Sequence, residues 1–192
     1  MNRVTVPAMA IPIKRVVTGV DEKGASIPYE DATLHPVELD IMPGVQIFPV
    51  WSTEGPLVSP AADPAPASKS FFPGPGGTRF GLFRLPPDSA VPADHAQPDE
   101  ATVAAQVAAA EEAVPGLLAA FEPDAPGMHQ TVTVDYVIVI EGDLWLELDD
   151  GVEVPLPAGT CVVQNGARHG WRNHGSTPGT LAYVILDGGN PE

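Results

Sequence analysis

Apolar and polar residues alternate along most of the second half of the chain. His129, Thr131, Thr133 and Asp135 share one parity, and every residue of the opposite parity over 132–140 is apolar. Side chains of a β-strand point alternately to its two faces. The spacing therefore predicts a strand from Gly127 onward with these four polar side chains on one face. The residues that follow are apolar on both parities, so we expect both faces to be largely buried.

Short runs with the same character recur on both sides of this segment and are separated by turn signals. They predict strands at 15–20, 25–29, 45–51, 78–85, 144–148, 152–156, 160–164, 170–173 and 181–186. Asp149-Asp150-Gly151 is a tight-turn sequence between two of them. Strands that are interrupted by turns every ~8–12 residues are typical of a sandwich or barrel, so the fold class is all-β.

One segment departs from the strand pattern. Asp99 suits a helix N-cap, and Val103, Val107 and Val114 follow on one helical face. The pattern predicts a helix over 99–121 that is interrupted by a Pro-Gly pair. This helix either covers one side of the barrel or acts as a lid over its mouth, because it directly precedes the strand that carries the polar side chains.

The stretch from Gly127 to Asn173 resembles the two motifs of the cupin superfamily. The first cupin motif has the form His-x-His, followed by a Glu and a closing Gly. His129 stands at its first His and Gly142 at its closing Gly, while Thr131 and Asp135 occupy the places of the second His and the Glu. The sequence is similar to a cupin subfamily that has His-x-Thr-x-Thr-x-Asp-Tyr at this point.

The second cupin motif ends Pro-x-Gly-x-x-His-x-x-x-Asn. Gly166, His169 and Asn173 fit this pattern, and Gln164 replaces the Pro. The resemblance implies a cupin-type jelly-roll barrel. It also implies a homodimer, because cupins commonly dimerise through extended N-terminal strands.

The two motifs occur once and no internal repeat is found, which favours one cupin domain over 1–192. Residues 1–126 are expected to form extra N-terminal strands, a Pro/Gly-rich loop over 54–77 and the helical insertion before the first motif. Residues 127–187 are expected to form the barrel core.

His129, Asp135 and His169 form a candidate metal site. If these faces of the two strands face each other across the barrel interior, two imidazoles and one carboxylate converge as in a facial triad. Such a set binds one divalent ion of Zn, Fe, Mn, Ni or Co and leaves coordination positions open. The alternative for the histidines is simple burial with hydrogen bonds. Asp135 could instead cap a loop amide or pair with one of four arginines, which are Arg79, Arg84, Arg168 and Arg172.

Three further residues are candidates for contact with a substrate or with the ligands. Thr131 is a poor ligand because its hydroxyl is neutral, so hydrogen bonding is its better role. Trp171 has the same parity as His169 and is expected to line the cavity. Gln164 could hold a substrate or one of the imidazoles.

Three functions from different classes are consistent with this set of residues. The first is a metal-dependent lyase for a small oxygenated molecule, by decarboxylation or dehydration, with the metal as Lewis acid. The second is an Fe(II) dioxygenase. The third is a small-molecule-binding cupin without catalysis, which loss of the second motif His favours.

The charge balance narrows the set of partners. The chain has 9 basic and 25 acidic residues and a formal net charge of -16, which argues against nucleic acid and anionic membrane surfaces. The single cysteine, Cys161, lies in an apolar strand and is expected to be buried. Residues 1–13 are apolar but broken by Pro7 and Pro12, and no run approaches ~18 apolar residues. We therefore expect a soluble, cytoplasmic protein.

Overall fold

A computed structural model describes residues 12–59, 68–90 and 98–189. Within these ranges the chain forms eleven strands and one α-helix, α1. The strands are β1 (Ile13–Val20), β2 (Ser26–Leu34), β3 (Val37–Glu38), β4 (Gln46–Thr53), β5 (Thr78–Leu85), β6 (Thr133–Glu141), β7 (Leu144–Glu147), β8 (Glu153–Leu156), β9 (Cys161–Asn165), β10 (Gly170–Arg172) and β11 (Gly179–Asp187). The helix spans Glu100–Ala113, and short 3-10 helices span Asp88–Ala90, Leu118–Ala120 and Asp149–Gly151.

Two antiparallel sheets face each other across the main core. The larger sheet has the order β3-β4-β5-β11-β6-β9, and the smaller has the order β10-β7-β8. From β6 to β11 the chain passes repeatedly from one sheet to the other. Buried side chains from both sheets, including Val139, Leu144, Leu156 and Leu181, form one cluster. This is the cupin-type jelly roll, and the predicted fold class is confirmed.

The helix begins where the sequence predicts and packs differently. The Asp99 carboxylate accepts a hydrogen bond from the Thr102 amide at 2.7 Å, as an N-cap does. The predicted apolar stripe is wrong at Val103 and Val107, which are exposed, whereas Val114 just after the helix is buried. Only the C-terminal end of the helix reaches the core, where Ala110 is buried.

The outer face of β6 contradicts the expectation that both faces are buried. Tyr136, Ile138 and Ile140 are 52%, 43% and 51% exposed, whereas the side chains of opposite parity are buried. The β1–β2 hairpin covers part of the outer face only, over the end formed by β4 and β5. Cys161, which lies opposite Ile138 in the register of β6 and β9, is also exposed, so its predicted burial is wrong.

The strand that carries the first motif starts later than predicted. Gly127 adopts a φ of 80°, which turns the chain, and β6 begins only at Thr133. His129 therefore lies in the segment before the strand. No helix in the described ranges has the length and apolarity that would span a membrane. Residues 1–11, which belong to the part of the chain predicted to form extra N-terminal strands, lie outside the described residues. Residues 60–67 of the predicted loop also lie outside them.

Candidate functional site

A cavity of about 440 Å³ opens beside the inner faces of the sheets. His129, Asp135, His169 and Trp171, four of the six predicted site residues, line it. The remaining lining is rich in aromatic side chains, which are Phe71, Phe72, Phe83, Phe121 and Tyr183. The structure thus brings the three predicted metal ligands to the wall of a single cavity.

The two histidines are paired through their backbones. The His129 amide donates to the His169 carbonyl, and the His169 amide donates to the His129 carbonyl, both at 2.9 Å. This isolated β-bridge holds the imidazole centroids 4.2 Å apart. Phe121 bridges to the other edge of His129, and Trp171 packs edge-on against His169 at 5.6 Å. Each of these four rings therefore contacts the next, from Phe121 to Trp171.

Each imidazole uses the same nitrogen for a backbone contact. Nδ1 of His129 lies 3.2 Å from the Gly127 carbonyl oxygen, and Nδ1 of His169 lies 2.9 Å from that of Ala167. A carbonyl oxygen only accepts, so the proton of a neutral ring must be on Nδ1. Each ring is left with an unprotonated Nε2, which is the form that binds a metal ion.

Burial keeps both rings neutral. It lowers the pKa of His129, against the opposing effects of the Gly127 carbonyl and Glu122. Burial and the charge of neighbouring His129 lower the pKa of His169 to about 4. At neutral pH the two Nε2 atoms therefore act as hydrogen-bond acceptors or metal ligands.

Asp135 is a buried residue, and one of its two carboxylate oxygens lacks a hydrogen-bond partner. The residue is 8% exposed, and the oxygen without a partner is Oδ1. Desolvation raises the pKa of this carboxyl to about 6, and the hydrogen bond from Thr133 opposes that rise. A buried acceptor without a donor is costly, so this oxygen is suited to a ligand or an ion.

The alternative partners of Asp135 are engaged elsewhere. Arg79 pairs with Glu54 at 2.7 Å and also donates to four backbone carbonyls. The other three arginines pair with Glu141, Glu122 and Glu147 respectively, at 3.1, 2.6 and 2.5 Å. Each of the four predicted arginines is thus paired with a different carboxylate.

Thr131 and Gln164 are absent from the residues that line the cavity. The Thr131 hydroxyl bonds the Thr133 hydroxyl at 2.8 Å, and Thr133 in turn bonds Asp135. Gln164 is buried opposite Asp135 in the register, and its Nε2 has no partner. Thr131 is thus linked to Asp135 through Thr133, and Gln164 lies next to Asp135 on the neighbouring strand.

The candidate ligand atoms are of the chemical types that bind divalent ions. Two unprotonated imidazole nitrogens and one orphaned carboxylate oxygen are the ligand types of such sites. Among the described residues, however, no group of three or more His, Cys, Asp and Glu lies close enough together to hold an ion. The imidazole pair is thus the candidate ligand pair, and direct ligation by Asp135 stays a prediction.

Several residues that line the cavity do not occupy a defined position of either motif. Arg172 lines the cavity, and a Cβ at Gly127 would lie 2.6 Å from its Nη1. Phe121 lies before the first motif, and Asp88 follows β5. For Phe121 the sequence offered one indication, which is that it ends the predicted 99–121 helix just before the first motif.

Comparison with known proteins gives local sequence matches. Over 60 residues the chain is 45% identical to the Oryzines biosynthesis cluster protein J of Aspergillus oryzae, covering 31% of this chain and 34% of that protein. Over 63 residues it is 41% identical to the cupin-domain-containing oxidoreductase virC of Hypocrea virens, covering 31% and 32%. The match thus spans about a third of the length of these relatives. No protein-family model matches the chain.

Solved structures give weak likenesses. A predicted oxalate decarboxylase from Thermotoga maritima aligns with a TM-score of 0.41 at 16% identity, covering 80% of this chain and 92% of that one. A putative ethanolamine utilization protein from Salmonella typhimurium aligns with a TM-score of 0.41 at 9% identity, covering 93% and 98%. Both scores are too low to support a conclusion. The strand order and the local identity to a cupin-domain protein support the assignment of this chain to the cupin superfamily.

Proposed function

We propose that the chain is a metal-dependent enzyme that acts on a small oxygenated organic molecule inside the apolar cavity. The observation that carries this proposal is the pair of imidazoles, His129 and His169, whose Nε2 atoms are both left unprotonated beside the same cavity. Buried histidines with only a structural role would be expected to have partners for both nitrogens.

His129 and His169 would hold the ion, with Asp135 as the expected third ligand. A divalent ion bound there supplies Lewis acidity toward a carbonyl, carboxylate or hydroxyl oxygen. The chain itself contributes orientation of the two rings through the Gly127 and Ala167 carbonyls. It also contributes the aromatic side chains that line the cavity beside the reacting group.

Two reaction classes fit this site. A lyase reaction, decarboxylation or dehydration, suits a cavity that offers few titratable groups besides the three predicted ligands. An oxidoreductase reaction, for which an Fe(II) dioxygenase is the specific candidate, is favoured by the relatives. Three of those relatives are named cupin-domain-containing oxidoreductases. Oxygen uptake by the Fe(II)-loaded protein in the presence of substrate separates the two classes.

Metal content tests the proposal directly. The purified protein and the variants His129→Ala, His169→Ala and Asp135→Ala are analysed for bound metal after dialysis against a mixture of divalent ions. His35→Ala, at an exposed position, is the matched control. We expect near-stoichiometric metal in the wild type and control, and loss of metal in both site histidine variants. Retention by Asp135→Ala alone would place Asp135 outside the ligand set.

Absence of metal from the wild type would overturn the enzyme proposal. The remaining candidate would then be a cupin that binds a small molecule without catalysis, as replacement of the second motif His by Thr131 allows. Metal that survives both histidine substitutions would move the site elsewhere.

A further inference from the structure

Asp135 has four nearest neighbours on the inner face of the large sheet. They are Thr133 and Val137 on β6 itself, Ile185 opposite it on β11, and Gln164 opposite it on β9. The side chains of Val137 and Ile185 contain no polar atom. A hydrogen bond that one of these neighbours donates to the carboxylate must therefore come from Thr133 or from Gln164.

The contact on the Thr133 side is made. The Thr133 hydroxyl donates to the Asp135 carboxylate, which has no proton to give when it is ionised. A hydroxyl has one proton, so Thr133 has to accept in its 2.8 Å contact with the Thr131 hydroxyl. The two protons thus point in one direction, from Thr131 to Thr133 and from Thr133 to Asp135. This chain begins at the position of the second His of the first cupin motif.

The contact on the Gln164 side is open. Asp135 Oδ1 and Gln164 Nε2 are both buried, and neither has a hydrogen-bond partner among the described residues. The first atom is an acceptor and the second is a donor. Directly opposite residues of an antiparallel pair have Cβ atoms about 4.5–5.5 Å apart, which is within reach of a Gln side chain. Rotation of the Gln164 amide onto Oδ1 would remove the cost of two buried, unpaired groups at once.

The two roles that the sequence allowed for Gln164 fit its position less well. Gln164 is not among the residues that line the cavity, so a substrate there does not meet it. The imidazoles of His129 and His169 are bridged to each other, and each has a backbone carbonyl at Nδ1. The residue opposite Gln164 in the sheet is Asp135.

We propose that Gln164, Thr133 and Thr131 are positioning residues for the Asp135 carboxylate, with Gln164 donating to Oδ1 and the threonine chain donating from the β6 side. The assignment rests on the proposed function in one respect, namely that this carboxylate meets the divalent ion. A carboxylate oxygen can accept in two directions, so Oδ1 can face both Gln164 and the ion. Contacts from two sides fix the orientation in which the carboxylate binds the ion.

The affinity for Zn²⁺, measured by calorimetry, tests both sides of the carboxylate. Gln164→Met keeps the length of the side chain and removes the amide, and we expect it to weaken binding about 10- to 100-fold. Thr131→Val removes one hydroxyl and should also weaken binding, whereas Thr131→Ser keeps the hydroxyl and should bind as the wild type does. An unchanged affinity in Gln164→Met or in Thr131→Val would overturn the role of that residue.

Gln46→Met is the matched control for the loss of a buried amide. Gln46 is buried on β4 of the same sheet, and its Oε1 also lacks a partner within the described ranges. It is not among the residues that line the cavity. Its replacement should leave the Zn²⁺ affinity unchanged. A loss as large as that of Gln164→Met would show that the effect passes through the fold, and it would overturn the proposal.

A double-mutant cycle on the metal-free protein tests the contact between Gln164 and Asp135 itself. Urea midpoints are measured in EDTA at pH 8 for the wild type, Gln164→Met, Asp135→Ala and the double variant. Gln164→Met should lower the midpoint when Asp135 is present. It should not lower the midpoint in Asp135→Ala, because the amide has no acceptor there. An equal fall in both backgrounds would assign Gln164 to packing or to an imidazole and would overturn the proposal.

The two proposals fail in different ways. A wild type that takes up no Zn²⁺ loses the proposed metal function, and the cycle on metal-free protein still decides whether Gln164 holds Asp135. A protein that binds Zn²⁺ and shows no coupling between these two residues keeps its metal site and loses this inference.

Discussion

Gly142 and Gly179 lie against each other where β6 ends and β11 begins. A Cβ on Gly142 would lie 2.7 Å from the Gly179 Cα, and the backbone of Gly142 has a φ of 82°. Two separate features therefore favour glycine at the closing position of the first motif. The backbone is left-handed there, and the main chain of Gly179 leaves no room for a Cβ. Both concern the connection between the large sheet and the small sheet.

Gly142→Ala should therefore destabilise the fold more than an ordinary left-handed glycine does. Gly24 is the control, since its φ is 78° and no atom lies within 4 Å of a built Cβ. We expect Gly24→Ala to lower the free energy of unfolding by about 1–2 kcal/mol. Gly142→Ala should lower it further because Gly179 must move. Urea unfolding measures both, and equal losses would show that the close contact is harmless.

The sequence predicted the strands well because their apolar periodicity is local. The bounds of β5, for example, agree with the prediction to the residue. The two-residue β3 was missed, since a pair of residues shows no period. The predicted grouping of His129 and His169 depended on strand parity and on the two motifs, and both residues do line one cavity.

Burial of the outer sheet face could not be predicted, because it depends on what packs over it. Both faces of β6 have apolar side chains, so the sequence suggested that both are covered. The β1–β2 hairpin packs over β4 and β5, however, and leaves the outer face of β6 exposed. The relative positions of the three predicted metal ligands could also not be predicted from the sequence. The turn at Gly127 removes His129 from the strand that carries Asp135, so the common parity of these two residues did not make them strand neighbours.

Asp135 should give the metal-free protein a distinct pH dependence. Its pKa rises from 3.8 to about 6 on burial, so the folded state holds the proton longer than the unfolded state. Stability should therefore fall as pH rises from about 4 to about 6 and then stay level, by about 3 kcal/mol from this group.

The variant Asp135→Asn isolates that effect. His169, whose folded pKa is lowered, gives the opposite trend in the same range, and both proteins retain it. The free energy of unfolding, measured in urea with EDTA, should be similar for both proteins near pH 4. The variant should become the more stable of the two above pH 6. A constant difference across the range would contradict the assignment.

His174 joins two elements at the cavity rim. Nε2 lies 2.8 Å from the Glu153 carboxylate and Nδ1 lies 3.0 Å from that of Asp88, so both bonds require the protonated ring. These contacts raise the pKa of His174, and the hydrogen bond that the ring donates to Glu153 has the largest effect. The resulting stability is present below the ordinary histidine pKa and is lost as pH rises through the raised value.

His174→Gln should therefore lower the melting temperature at pH 5.5 by more than at pH 8.5. The effect should be small because the side chain is 41% exposed. His35→Gln is the control, since the His35 side chain is exposed. A His174→Gln penalty that is the same at both pH values would mean that the ring acts by packing against Trp145.

The outer face of β6, β9 and β11 is where we expect a second copy of the chain to pack. Its outward side chains are Val134, Tyr136, Ile138, Ile140, Cys161, Val163, Asn165, Ala182, Val184 and Leu186. All but Asn165 are apolar, and none is charged. In a chain with 25 acidic residues, an uncharged apolar face of this kind marks an interaction surface. Two identical faces of this kind are complementary to each other about a two-fold axis.

Light scattering on the wild type should give twice the chain mass of 20.0 kDa. Val163→Glu places a carboxylate at a position that is 63% exposed in one chain, and it should shift the mass to that of a monomer. Val152→Glu, at a 52% exposed position outside this face, should leave the dimer intact. A disulfide between the two Cys161 residues would form only in a dimer whose two-fold axis passes near them. A monomeric wild type, or a dimer that survives Val163→Glu, would place the partner elsewhere.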